Sequence, residues 1–343
     1  MKKLVLLFTI AFTGLIACAQ QNDEPYMTKS LSGSNIKNIL AKTSGGSLQV
    51  SGDHASDARI EVYIRSNNGS DKISKEEIEK RLENYELNID ASNGKLTAIA
   101  RSKTNFTNWR KGLSISFKIY VPQQVSTDLS TSGGSIHLAS LTGTQQFRTS
   151  GGSLHMDQLN GKIDGRTSGG SIHISNSHDD IDLHTSGGSI EAKSCDGKIN
   201  LATSGGSVRL NELKGKITAS TSGGSVRGDD VAGELYAHTS GGRVDLQGLR
   251  GSVDASTSGG SIDVELLELG SYVTIRNSGG SVDLTLPKGK GLDLNIKGDR
   301  VRTTTLTNFS GKLDEDEIDG TVNGGGIPVK VRSSSGRITL TMK

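Results

Sequence analysis

The chain has 343 residues, of which 45 are glycine and 4 proline, with six Phe, six Tyr and one Trp, so collagen and proline-rich disorder are both excluded. Length alone would suggest two or three globules at about 150 residues each. An aromatic-poor, glycine-rich chain that still carries many Val, Ile and Leu fills only a thin core of stacked aliphatic side chains, which favours a solenoid. The 39 Lys and Arg against 37 Asp and Glu leave a net charge of +2, and charge therefore does not select nucleic acid as a partner.

In chain order, residues 1–17 begin with Lys2 and Lys3 and continue with apolar residues from Leu4 to Ile16, a run too short to span a bilayer comfortably. This is the pattern of a signal peptide. The cleavage zone Leu15-Ile16-Ala17-Cys18 resembles a bacterial lipobox, which implies lipidation of Cys18 and a membrane partner through that lipid. The polar run from Ala19 to Asn35 is expected as a flexible tether, giving a lipidated tether over 18–35. Residues 36–130 are expected as a small α+β N-terminal cap. Within it Ile60, Val62 and Ile64 alternate, as do Leu113, Ile115, Phe117, Ile119 and Val121. Between these runs Ser74 and Glu77 form a capping-box pattern, followed by Ile78, Leu82 and Tyr85 at helical spacing.

From Thr131 an internal repeat takes over, expected over 131–276. Thr-Ser-Gly-Gly begins at Thr131, Thr149, Thr167, Thr185, Thr203, Thr221, Thr239 and Thr257, a constant period of eighteen without a slip. An earlier copy begins at Thr43, and Asn277-Ser278-Gly279-Gly280 and Ser334-Ser335-Gly336-Arg337 echo it later. Numbering the Thr as position 1, aliphatic residues recur at positions 6, 8, 11, 15 and 17, as in Val208, Leu210, Leu213, Ile217 and Ala219. Each period thus carries two short alternating strands.

Glycines mark the turns. The pairs Gly133-Gly134, Gly151-Gly152, Gly169-Gly170, Gly187-Gly188, Gly205-Gly206, Gly223-Gly224, Gly241-Gly242 and Gly259-Gly260 are structural turn residues. Position 13 (Gly143, Gly161, Gly197, Gly215, Gly233, Gly251) marks a second corner, both being assigned to backbone angles closed to other residues. A strand recurring in one direction once per period pairs in parallel with its own copies. The fold class is therefore all-β: a single-chain parallel β-solenoid (β-helix) of 18-residue coils rising about 4.8 Å each, with a right-handed crossover expected. Parity turns the Thr inward, where its hydroxyl can bond neighbouring backbone, and the Ser at positions 2 and 5 outward. Cys195 falls at an inward position and is expected as a buried, inert thiol. Residues 277–343, with strands around Val282-Leu284-Leu286, Leu292-Leu294-Ile296, Val329-Val331 and Ile338-Leu340-Met342, are expected as a β C-terminal cap that covers the open end.

These residues resemble the bacterial putative-adhesin family of cell-envelope β-strand repeat proteins, relatives of the head domain of autotransporter adhesins. The resemblance rests on Val121-Pro122 leading into Leu129-Ser130-Thr131-Ser132-Gly133-Gly134-Ser135-Ile136, on the serial Ser-Gly-Gly-Ser-[Ile/Val] periods, and on the closing Gly336-Arg337-Ile338-Thr339-Leu340. It covers Ile36 to Lys343 and implies an envelope β-solenoid without established catalytic residues or cofactors.

Three constellations could carry chemistry. His137, His155 and His173 stack at outward position 7, close enough for imidazoles to share a Zn²⁺ or Cu²⁺ ion, although no fourth ligand can be placed. A solvated ladder is the reading preferred there, with no metal. The acidic run Asp314-Glu315-Asp316-Glu317-Ile318-Asp319-Gly320 departs from the calcium-loop spacing and reads as a solvated loop. Asp164 and Asp182, near Arg148 and Arg166, could serve a glycan-active β-helix but read more simply as a cross-strand salt-bridge surface. The expectation is a non-enzymatic, lipid-anchored scaffold or adhesin-like binding protein of the bacterial envelope, an outer-membrane lipoprotein with a protein or glycan ligand. The alternatives are a glycan-active enzyme and an envelope-stress sensor.

Overall fold

A computed structural model describes residues 24–67, 73–103 and 112–343. The expected signal peptide and Cys18 lie outside the described residues. Among the described residues the chain is all-β apart from one short helix, and its strands join into one large, mostly parallel sheet.

Register follows the period. The strand Leu154–Thr167 pairs in parallel with Ile136–Thr149 on one side and with Ile172–Ser175 and His178–Thr185 on the other, each residue opposite its counterpart one period away, as in Leu154↔Ile172 and Asp164↔Asp182. The same register runs through Ile190–Lys193, Val208–Asn211 and Val226–Asp229 to Val244–Thr257. One-residue slippage would expose every inward side chain, so the aliphatic pattern fixes this alignment. In a typical period Val208, Leu210, Leu213, Ile217 and Ala219 are all wholly buried. Each inward Thr is buried and its Oγ1 donates to the position-4 carbonyl of the preceding period, as Thr203 does to Gly188 O at 2.8 Å. The same hydroxyl accepts from the Gly206 N–H at 3.3 Å, closing the turn. At position 5 the Ser hydroxyl accepts from the next Ser amide, as in Ser207 N to Ser189 Oγ at 3.2 Å.

The glycine pairs turn the chain for a different reason from the one expected. None of the sixteen has a positive φ. The second of each pair is excluded from carrying a side chain by closeness: a Cβ on Gly206 would lie 2.1 Å from Gly188 O. The first is freer, since a Cβ on Gly205 would lie 3.4 Å from Gly187 O. Left-handed backbone belongs instead to position 13, where Gly161 has φ 110° and Gly215 φ 114°.

The parallel ladder runs beyond both ends of the expected repeat segment. Asn38–Thr43 pairs in register with Ser126–Thr131, so Thr43 stands opposite Thr131 although the two are remote in sequence, and Leu48–Ser51 pairs with Ile136–Thr149. At the other end Val282–Leu286 pairs with Arg337–Met342, Val282 opposite Ile338. The intervening segments extend the sheet through mixed pairing: Lys95–Ser102, Leu113–Tyr120 and Leu292–Lys297 each join the ladder in parallel on one edge, to Asn38–Thr43, Leu48–Ser51 and Ile327–Ser333, and on the other take an antiparallel partner, Tyr85–Ser92, Arg59–Ser66 and Glu317–Val322. The helix α1 (Lys75–Leu82) starts at Ser74, whose hydroxyl accepts from Glu77 N as the capping pattern predicts, and Ile78 and Leu82 pack on the core. The tether reading is corrected where the structure describes it. Met27–Ser30 is a strand antiparallel to Arg59–Ser66, and Leu31, whose N–H donates to Ala58 O at 2.8 Å, is buried in the core.

Candidate functional site

With positions 1, 6, 8, 11, 15 and 17 turned inward, most of the charged and polar variation falls on outward columns. One corner is built unlike the others. At position 10 Ser140, Gln158, Asn176, Ser194, Glu212 and Asp230 all have φ between 48° and 56°, left-handed backbone in side chains other than glycine. Gly248 continues the column with φ 70°. Position 11 then turns inward, burying Leu141, Leu159 and Leu213, so that columns 10 and 12 flank a groove that runs across the strands. Its first stretch, lined by Asp53, Gln123, Ser140, Gln158, Asn160 and Asn176 with His178, holds about 380 Å³. Its second, lined by Ser194, Asp196, Glu212, Lys214, Asp230 and Arg250 over Cys195, holds about 480 Å³. Beside the first stretch a further hollow of about 340 Å³ is lined by the histidine column with Gln49, Asp157 and Ser175.

The structure brings the three histidines together. The rings of His137 and His155 stack at 4.6 Å and 5° between planes, those of His155 and His173 at 5.1 Å and 2°. Desolvation lowers the pKa of His137, and desolvation followed by repulsion from its two neighbours lowers that of His155. The column ends at Glu191, 3.9 Å from His173 Nε2. Among the described residues no group of three His, Cys, Asp or Glu could hold a metal ion. Face-to-face rings keep their nitrogen lone pairs parallel instead of converging on one point.

The other candidates are engaged within the protein. Arg166 bridges Asp164 at 3.1 Å and Asp182 at 3.2 Å, while the other Asp182 oxygen lies 2.7 Å from both His184 Nε2 and Asn200 Nδ2. In the acidic run Lys312 pairs with Asp314 at 2.7 Å and Glu317 at 3.0 Å, and the carbonyls of Glu315 and Asp316 accept from Val301 and Gly298. Cys195 is buried, its thiol donates to Lys193 O at 3.2 Å, and burial raises its pKa.

Two breaks in the repeat are resolved in detail. Asp179 takes the position-13 corner with φ 84° where neighbouring periods have glycine. The two-residue lengthening before Ile275 is a bulge in the pairing of Val244–Thr257 with Ile262–Asn277, between Gly251/Leu269 and Val253/Val273. Bulges re-aim side chains. This one sends Tyr272 across the small Ser252 so that its hydroxyl donates to Glu234 Oε1 at 2.8 Å, beside the Tyr236 hydroxyl at 2.5 Å. Lys216 meets the other carboxylate oxygen at 3.1 Å. The hydroxyls of Tyr236 and Tyr272, then Lys216, hold the Glu234 carboxyl at about 2.

Sequence reasoning found the histidine column but missed the left-handed column at position 10, because no glycine marks it. The only available signal was the recurrence of Ser, Gln, Asn, Glu and Asp there, residue types that tolerate or cap such turns. It also missed the Tyr272–Glu234 contact, which reaches across more than two periods.

The molecule so defined is an all-β repeat protein with a groove crossing successive parallel strands. No family model and no curated protein matches the chain. Among solved structures, that of a putative cell adhesion protein from Clostridium sporogenes is similar at 12% identity, covering 92% of this chain and 98% of that one, with a TM-score of 0.19. A likeness this slight assigns neither fold nor function. No helix among the described residues is long and apolar enough to cross a membrane.

Proposed function

We propose that the protein is a non-enzymatic binding module of the bacterial cell envelope, a parallel β-solenoid of right-handed 18-residue coils anchored by lipid on Cys18 after removal of residues 1–17. The carrying observation is the unbroken register from Ile136 to Thr257, in which the constant residues serve the turns, the core and the Thr ladder while the outward columns other than the Ser of positions 2 and 5 vary. Catalysis needs several polar groups held in one irregular geometry. The carboxylates that could act are instead bound to Arg166, Lys216 or Lys312. Repetition of a groove by successive coils suits contact with an extended partner, and the acyl chains fix the module at a membrane.

The test combines address with turnover. Labelled palmitate should enter the wild-type chain and be absent from Cys18→Ala, and the purified chain should bind envelope material without releasing reducing ends or unsaturated product. Release of product that disappears on changing Asp164 or Asp182 would replace this reading by the glycan-active enzyme.

A further inference from the structure

We infer that the first stretch of the groove, at Gln123, Ser140, Gln158, Asn160 and Asn176, binds an uncharged linear glycan lying across the strands with about one sugar unit per coil. This rests on the reading of the protein as a binding module and names the ligand class.

The chemistry of the lining carries the inference. Four carboxamides and a hydroxyl offer donors and acceptors together, the pairing that sugar hydroxyls require. Much of that capacity is open. Among the described residues the side-chain amides of Gln123 and Asn160 have no hydrogen-bond partner. Gln158 uses only its oxygen, accepting from Ser140 Oγ at 3.0 Å, and Asn176 uses only its nitrogen, donating to Asp157 Oδ1 at 2.8 Å. The second stretch differs. There Arg250 meets Asp230 at 3.1 Å and Ser194 donates to Glu212 at 2.7 Å, while His178, at the end of the first stretch, turns to Asp196 of the second at 2.9 Å.

Spacing agrees with a polymer of sugars. Register places Asn160 opposite Thr142 and His178, so equivalent side chains recur at the strand spacing of about 4.8 Å, close to the length of one pyranose. The columns are held by the ladder in advance of binding, which lowers the ordering cost.

Other occupants fit less well. The first stretch has Asp53 and neither Lys nor Arg among its lining, which disfavours a polyanion. An extended peptide adds to a sheet through unpaired backbone, yet Leu154–Thr167 is paired along both edges. A protein partner would be anchored by apolar hot spots, and the exposed large hydrophobics of the described residues, Leu267 and Leu313, lie outside this stretch.

The test is calorimetric titration of the full chain in detergent with cello-, manno- and malto-hexaose, and with polygalacturonate and heparin as anionic probes. At least one neutral hexaose should bind with little dependence on salt, and more tightly than its trimer. Asn160→Ala and Gln158→Ala should each weaken it by about tenfold, the equivalent of one hydrogen bond of about 1.4 kcal/mol. Glu79→Gln, on the exposed side of α1 and outside the groove, should leave it unchanged. Asn160→Asp keeps the shape and checks that the loss is not misfolding: it should weaken binding while leaving the thermal melt as in wild type. Refusal of every neutral hexaose, preference for the polyanions, or binding indifferent to residues 158 and 160 would overturn the inference. If envelope material still binds while all neutral hexaoses are refused, this inference alone falls. Release of cleaved product would overturn the binding-module reading itself.

Discussion

The two glycines of each pair look equivalent in sequence but occupy different spaces, and Gly206→Ala against Gly205→Ala separates them. A Cβ on Gly206 would sit 2.1 Å from Gly188 O and 2.4 Å from its carbonyl carbon, both main-chain atoms that cannot rotate away. Relief requires moving Gly206 away from Gly188, a shift that disturbs both Thr203 Oγ1 to Gly188 O at 2.8 Å, which ties the two coils, and Thr221 Oγ1 to Gly206 O at 2.7 Å, which ties the next one. Overpacking of this kind costs about 1–3 kcal/mol, and weakening two buried hydrogen bonds adds about 0.5–1.5 kcal/mol each. The expected loss for Gly206→Ala is therefore about 3 kcal/mol. On Gly205 the nearest atom would be 3.4 Å away, ordinary contact, and the change should stay within about 0.5 kcal/mol. Urea unfolding followed by far-ultraviolet circular dichroism reads both, provided the m-value is the same for the two variants. Equal midpoints would refute the argument from close approach and return the pair to a common conformational role.

Thr203→Val keeps the shape but removes the hydroxyl between Gly188 O and Gly206 N. It should cost about 1–3 kcal/mol by urea melt, the penalty of a buried group left unsatisfied, with Thr203→Ser recovering most of it. Deleting Thr203 to Ser220, one whole period, should give a folded chain with strand-type circular dichroism, whereas deleting half a period should unfold it because inward and outward faces exchange. His155 is held below its ordinary pKa, so the folded chain binds fewer protons than the unfolded one. Its contribution is intact above about pH 6.5 and is lost as pH falls through the folded value, so His155→Asn should shrink the fall in Tm between about pH 7.5 and pH 5. Tyr272→Phe removes one donor to Glu234 and should raise that carboxyl pKa from about 2 towards the ordinary range, as read by carbon-detected NMR titration.

The sequence by itself determined the parts of this protein that are periodic. An aliphatic residue at positions 6, 8, 11, 15 and 17 has one way to be buried in a strand, and a fixed interval leaves parallel pairing of like with like as the register that keeps all of them inside, as Leu154↔Ile172 and Ile217↔Leu235 confirm. Local chemistry likewise showed the capped start of α1 at Ser74 and the inward Thr. Tertiary structure decided whatever depends on residues far apart in the chain or on where the next coil lies. Thr43 joins Thr131 only because the segment between them folds back antiparallel and returns, and Ile338 meets Val282 for the same reason. The need for glycine at position 4 lies in the carbonyl one period earlier, which no local pattern displays. The groove exists because six side chains other than glycine accept left-handed backbone at position 10 under the constraint of the ladder, a conformation that sequence predicts for glycine and leaves undecided for the rest.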